Sequence, residues 1–207
     1  MKKLKDYFPE FVLNFLAIFL GVLATLYLTG KISENDERKN LRLQLDAVKI
    51  ELNENIKSID SVLNYIERED SLRKYVRSIN NPKQLNEDSL KKYYTIVPTI
   101  RVFTYKNDAL EMLKYTGSLR LISDKQLLLN IITCYSDLEV IKSEYDVILN
   151  QKLTLLNQTL ETNFNLVFID LRKPVYIGLY NYFHNNPGIK PDIEKCKKHI
   201  EKTLEKL

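Results

Sequence analysis

Two histidines, two cysteines and a short run of carboxylates are the residues of this chain whose chemistry reaches beyond packing. Cys196 and His199 stand three positions apart on a helical pattern, which puts a thiol and an imidazole on one face as two metal ligands. Zinc needs three or four, and no second pair stands near them, so a solvated helix face is expected there. His184 is isolated. Cys134 and Cys196 lie far apart and in no CxxC arrangement, and they read as free thiols. Glu67, Glu69 and Asp70 would do acid–base work only where burial raises a carboxyl, and a charged run between helical turns is ordinarily hydrated. GxSxG, HExxH, GxGxxG and P-loop patterns are all missing, and five glycines leave little from which to build a phosphate cradle. Tyr176, Tyr180, Tyr182 and Phe183 have the area for a recognition patch, but read more simply as packing at the end of a bundle. The sequence therefore points to no catalytic residue, no cofactor and no metal.

The elements around these residues are clearer than the chemistry. A length of 207 residues with no Pro/Gly/Ser-rich linker suits one folded unit plus an anchor. The net charge of +4 is spread, with bases and acids interleaved after Lys31, so the concentrated basic face that nucleic acid requires is lacking. Residues 11–28 read FVLNFLAIFLGVLATLYL, uncharged throughout. At a rise of 1.5 Å per residue this stretch spans about 27 Å, close to the hydrocarbon thickness of a bilayer.

The expected organisation is a basic tail over residues 1–10, a transmembrane helix over 11–30 and a helical domain over 31–207. Phe11, Phe15, Phe19, Gly21 and Leu28 mark the span. A core helix would be shorter and would carry polar residues on one side. A cleaved signal peptide would end in a small-x-small site, which residues 26–30 lack. Tyr7, Phe8 and Tyr27 fall at the two ends, where aromatic rings suit the headgroups. Lys2, Lys3 and Lys5 nearly balance Lys31, Arg38, Lys39 and Arg42, and the short basic tail resists translocation, so the N-terminus is expected in the cytoplasm with the domain outside. The bilayer is then the first partner. A second copy or another protein is left open, since Gly21 has no GxxxG mate.

Beyond the span the fold class reads as all-α, the membrane helix running on into an antiparallel bundle of long helices. Leu41, Leu45, Val48, Leu52, Ile56, Ile59, Leu63 and Ile66 form one stripe, nearly a heptad seam. Packing within the chain's own bundle is favoured over a coiled coil between copies. Lys57, Asp60, Glu67 and Arg68 are placed on the wet face. Asn80-Asn81-Pro82 ends this helix. Residues 95–105 are rich in β-branched and aromatic side chains but have no strand to pair with, and read as extended packing or helix. Asn107 or Asp108 caps a helix over 109–115, Gly117 ends it in a left-handed conformation, and Ser123 with Gln126 forms a capping box. A second long seam follows: Leu127, Ile131, Cys134, Leu138, Ile141, Tyr145, Ile148, then Leu155 to about Phe164. Residues 166–172 are ambiguous, and Pro191 opens a last, mainly charged helix over 193–204 that is expected to be peripheral.

Residues 105–138, YKNDALEMLKYTGSLRLISDKQLLLNIITCYSDL, together with the N-terminal span resemble a bacterial family of small single-pass membrane proteins of unknown function. The shared block is LKxTGxLRLIxDxxLxxxI, carried here by Leu113, Lys114, Thr116, Gly117, Leu119, Leu121, Ile122, Asp124 and Leu127. The likeness covers about three quarters of the chain, in order. It departs just after the span, where such proteins carry a Trp- and Asn-rich stretch and this chain has Tyr27-Leu28-Thr29-Gly30-Lys31. The resemblance implies a helical fold at a membrane, here the bacterial inner membrane, and no activity.

Physically the block, with Leu113 and Thr116 among its residues, reads as a helical-hairpin corner: Gly117 ends one helix, Leu119, Leu121 and Ile122 plug the bundle's end, and Ser123 opens the next helix. The functional expectation is a non-enzymatic module that holds a partner or senses a ligand at the membrane surface. The alternatives are an enzyme or accessory subunit whose site is assembled from scattered polar residues, and a transducer that couples an outer ligand to the anchor.

Overall fold

The computed structural model describes residues 8–162 and 169–207, with side chains over 12–161 and 169–207. Helix α1 spans Phe8–Arg77, 70 residues in one piece, or about 105 Å. Pro9 sits in its first turn, where a missing N–H costs nothing. No proline interrupts the apolar seam before Pro82, which opens a short 3-10 turn over Pro82–Gln84 capped by the Asn81 side chain. Helix α2, Glu87–Lys91, then reverses the chain. Helix α3 spans Asp108–Tyr115, α4 Lys125–Thr162, α5 Ile177–Asn185 and α6 Lys190–Leu204. The described residues contain no strand, and the all-α class holds.

The two long helices do not run antiparallel, as the sequence suggested. Glu51 meets Tyr135 near the start of the bundle and Glu69 meets Lys152 further along, so α1 and α4 rise in the same direction. The return path is the segment between α2 and α3, which descends beside α1 in an extended conformation. Its main chain is served by side chains. Asn55 donates to the carbonyl of Lys106 at 2.8 Å and accepts from its amide at 2.8 Å. The Tyr65 hydroxyl donates to the Thr99 carbonyl at 2.8 Å, and the Tyr145 hydroxyl to that of Arg101 at 2.5 Å. Ser58 donates to the carbonyl of Thr104. Phe103, fully buried, pins the segment edge-on against Tyr145.

A lone extended segment thus survives without a sheet because both flanking helices supply its hydrogen bonds. Asn55→Ala removes two of these bonds and leaves a part-buried amide and carbonyl without their partner. It should cost about 2–3 kcal/mol in urea unfolding and speed hydrogen exchange at the Lys106 amide.

Helix α6 supplies the antiparallel member. Lys190 pairs with Glu67 at 3.1 Å and Lys197 with Asp60 at 2.7 Å as it descends, and Thr203 meets the Cys134 thiol at 3.2 Å. The last helix was expected to be peripheral. Instead Ile193, Cys196 and Ile200 are buried between α1 and α4, because its three apolar positions recur at helical spacing and suffice to fill the groove between two parallel helices. Both seams read from the sequence are core: Val48, Leu52, Ile59 and Ile66 on α1, with Ile131, Cys134, Leu138 and Ile141 on α4. Of the residues that followed them, 163–168 lie outside the description, while Ile169 and Leu171 are buried.

At the corner, Gly117 adopts φ 69° and a Cβ there would meet nothing within 4 Å. Gly117→Ala should therefore cost only the left-handed backbone penalty, about 1–2 kcal/mol, read as a modest fall in Tm. The cap of α4 is not Ser123. The Asp124 carboxylate accepts from the amides of Gln126 and Leu127 at 2.8 and 3.0 Å, so the N-cap is displaced by one residue and, with Leu127 three positions on, is no capping box. Nor does the Asn107 side chain cap α3. Glu51, reaching across from α1, accepts from the Ala109 amide at 3.1 Å and from the Tyr135 hydroxyl at 2.6 Å, placing a carboxylate at the positive end of a helix.

Candidate functional site

Three features of the fold bear on function: the free half of α1, a buried ionic cluster, and an open groove beside it.

Every residue from 13 to 40 is exposed, and the bundle begins only at Leu41. The charge-free part of this helix is long and apolar enough to cross a membrane, and none of it is buried against the rest of the chain. Phe15, Phe19 and Leu28 expose about half their surface or more, and Gly21 is open on all sides; the side chain of Phe11 lies outside the description. The Thr25 hydroxyl donates to its own helix at the Gly21 carbonyl, 2.8 Å away, which removes a polar group that hydrocarbon would leave unpaired. Lys31 sits 5.8 Å from the centre of the Tyr27 ring, at the end of the apolar run. Residues 29–40 then form a charged stalk, about 18 Å long at helical rise, between the apolar run and the bundle.

At the far end of α1 lies a feature that the sequence reading missed. Tyr65, Glu69 and Arg73 recur every four residues on one face and meet Lys152 from α4. Lys152 and Arg73 are 1 and 2 % exposed. The Lys152 ammonium donates to Glu69 Oε1 at 2.7 Å, the Tyr65 hydroxyl at 2.6 Å, and the carbonyls of Thr99 and Ile96 at 2.7 and 3.1 Å. Arg73 Nη2 donates to Glu69 Oε2 at 2.8 Å and to the Tyr182 hydroxyl at 3.3 Å, while its Nε is buried without a hydrogen-bond partner. The rings of Tyr65 and Phe183 lie 5.3 and 5.7 Å from the Lys152 nitrogen, and that of Tyr182 5.7 Å from the Arg73 guanidinium, turning their negative faces to the cations.

Two cations and one anion share this pocket, and the protonation preferences follow. Burial alone would raise the Glu69 carboxyl, but Lys152 and then Arg73 outweigh it and hold it below its ordinary value. The lysine pays for the surplus: burial lowers the Lys152 amine, Glu69 offsets part of that, and Arg73 adds to it. Burial and the adjoining Glu69 charge push the Tyr65 hydroxyl up. Every Lys152 proton is engaged and the Glu69, Arg73 and Lys152 side chains are all buried, so the work of the cluster is to join α1, α4, α5 and the extended segment.

The carboxylate run was read as hydrated. Glu67 and Asp70 do reach solvent or surface lysines, but Glu69, between them, is 4 % exposed. A companion cation 83 residues away leaves no local signature in a sequence.

Tyr182 borders an open groove of about 680 Å³ between α4 and α5, with Asn150, Gln151, Thr154 and Asn181 on its walls and Leu155 on its floor. No formal charge lines it among the described residues. The aromatic run of α5 is packing, as expected: Tyr176, Tyr180, Tyr182 and Phe183 are all buried.

The corner block joins α3 to α4. Leu113 and Ile122 are buried, Leu119 packs against the core, and Thr116 accepts from Gln44 of α1 at 3.2 Å and meets Ser118 at 2.8 Å. Leu121 is only half-buried and edges a shallow hollow with Met112 and Gln44, and Ser123 is exposed. Cys134 and Cys196 are free and buried, burial pushing the latter up to about 12. His199 bonds Asp137 at 2.9 Å, and no metal-holding group of side chains occurs among the described residues. No protein-family model, curated protein or solved structure matches the chain.

Proposed function

We propose that this protein is a non-enzymatic module tethered to the bacterial inner membrane by a single span, with its N-terminus cytoplasmic and its bundle outside, where it holds a partner protein. One observation carries the reading: the apolar, wholly exposed half of α1 and the central helix of the bundle are the same uninterrupted helix. Lipid is the solvent that makes such a surface favourable, and a rigid continuation of the span into the core fixes the bundle's height and tilt relative to the bilayer.

The non-catalytic part of the reading is supported by the ionic cluster, the place where shifted side chains converge. Its reactive nitrogen is sealed under rings and carbonyls rather than presented to a substrate. Protease treatment of intact spheroplasts expressing the full chain with a C-terminal tag tests the sidedness. Loss of the tag before lysis is the expected result; protection until lysis would put the bundle in the cytoplasm and overturn that part of the proposal.

A further inference from the structure

The outward faces of the two long helices differ in kind. Over the bundle, α1 turns Arg42, Asp46, Lys49, Glu54 and Lys57 to solvent, and these charges surround its two exposed apolar residues, Leu43 and Ile50. Helix α4 turns out a seam whose steps are of seven, four, three and four residues, from Leu129 through Ser136, Val140 and Ser143 to Val147, none of it charged. Leu129, Val140 and Val147 are each more than half exposed, and Ile132 beside them is 39 % exposed. Small serines between branched apolar residues make a surface that a second helix can approach closely.

The rim of this seam is acidic. Glu139 and Asp146 stand on one side, Asp137 and Glu144 on the other. Asp146 is paired with Lys142 and Asp137 with His199, and Lys195 borders the hollow beside Glu144. Glu139 and Glu144 form no ion pair among the described residues. The local excess is negative in a chain whose net charge is +4. A second copy docked in parallel would bring Glu139 of one seam against Glu144 of the other, like against like, which the flanking positions of a helix pair penalise.

We infer that the α4 face over residues 129–147 receives an amphipathic helix of a partner protein, with a branched apolar seam flanked by lysine and arginine. Charge complementarity selects this occupant over a copy of the chain. The inference deepens the partner-holding reading above and rests on it, while attachment to lipid is independent of it. The docked helix stands upright along the bundle, because α4 rises away from the anchored end.

A photo-crosslinking residue at Val140, in the full chain in native membranes, tests this, with Asn53 on the charged face of α1 as control. Adducts are mapped by mass spectrometry to the segment captured. An adduct from position 140 alone, on a helix with Lys or Arg beside its apolar seam, is the expected result. Its yield should fall about tenfold or more in Glu139→Lys/Glu144→Lys, a loss that one or two reversed charge pairs produce. Circular dichroism and vesicle flotation of that variant establish that folding and anchoring are intact. An adduct with a second copy of this chain, an adduct on an acidic or uncharged segment, no adduct at all, or a yield indifferent to charge reversal would each overturn the inference. Loss of flotation, by contrast, would strike the anchor itself.

Discussion

Glu69→Gln should lower the stability of the bundle by about 3–5 kcal/mol, the cost of leaving buried charge without its counter-ion. The substitution is nearly isosteric, so no cavity is made and packing is not the cause. What changes is that Lys152 and Arg73, 1 and 2 % exposed, face each other with no anion between them. Against a typical total of roughly 5–15 kcal/mol for a domain, the urea midpoint should fall steeply. Lys152→Met should be milder, since it removes the surplus cation and leaves Glu69 paired with Arg73 at 2.8 Å. Combining the two should recover part of what Glu69→Gln loses. Additive losses would mean that the two residues do not act as a pair.

The same cluster makes the fold sensitive to acid. Its carboxyl is held below the unfolded value, so the stability it contributes is fully present above about pH 4.5 and disappears as pH falls through the lower folded value. Unfolding free energy measured between pH 6 and 3 should decline over the acid end of that range in the wild type. In Glu69→Gln that component of the slope should be missing.

Phe19→Asp/Leu20→Asp should detach the protein from membranes while leaving the bundle folded. Each carboxylate at the middle of a span costs about 2.5–3.5 kcal/mol on insertion scales, and two together shift the partition by roughly four orders of magnitude. The bundle does not notice, because no residue from 13 to 40 is buried against it. Cell fractionation should move the variant from the membrane to the soluble or aggregated fraction, with the hydrogen-exchange protection of α4 and α6 unchanged. Were the bundle to unfold as well, the apolar run would be part of its core.

The parts of this fold that were legible in the sequence are those written in one period. The apolar run and the seams of α1 and α4 are local patterns, and Gly117 announces its own left-handed turn. Chain direction was not legible. Two long amphipathic helices suggest an antiparallel pair, and only the side chains of Asn55, Ser58 and Tyr65, each an ordinary helix residue by sequence, show that an extended return is held beside α1 and leaves α4 parallel to it. The caps of α3 and α4 were misplaced for a related reason. Glu51 reaches Ala109 from 58 residues away, and Asp124 outcompetes its neighbour Ser123. The ionic cluster failed on the same ground, since a lysine in the middle of α4 reads as solvent-facing until its partner on α1 is known. Tertiary partners, rather than local propensity, carried what was missed.

The central claim is that the exposed half of α1 lies in lipid. Purified full-length protein, reconstituted by detergent removal with phosphatidylethanolamine and phosphatidylglycerol vesicles, tests it by flotation through a sucrose gradient after washing at alkaline pH. Recovery with the vesicles at the top of the gradient is the predicted result. Folded protein remaining at the bottom, uncleaved and free of detergent, would contradict it.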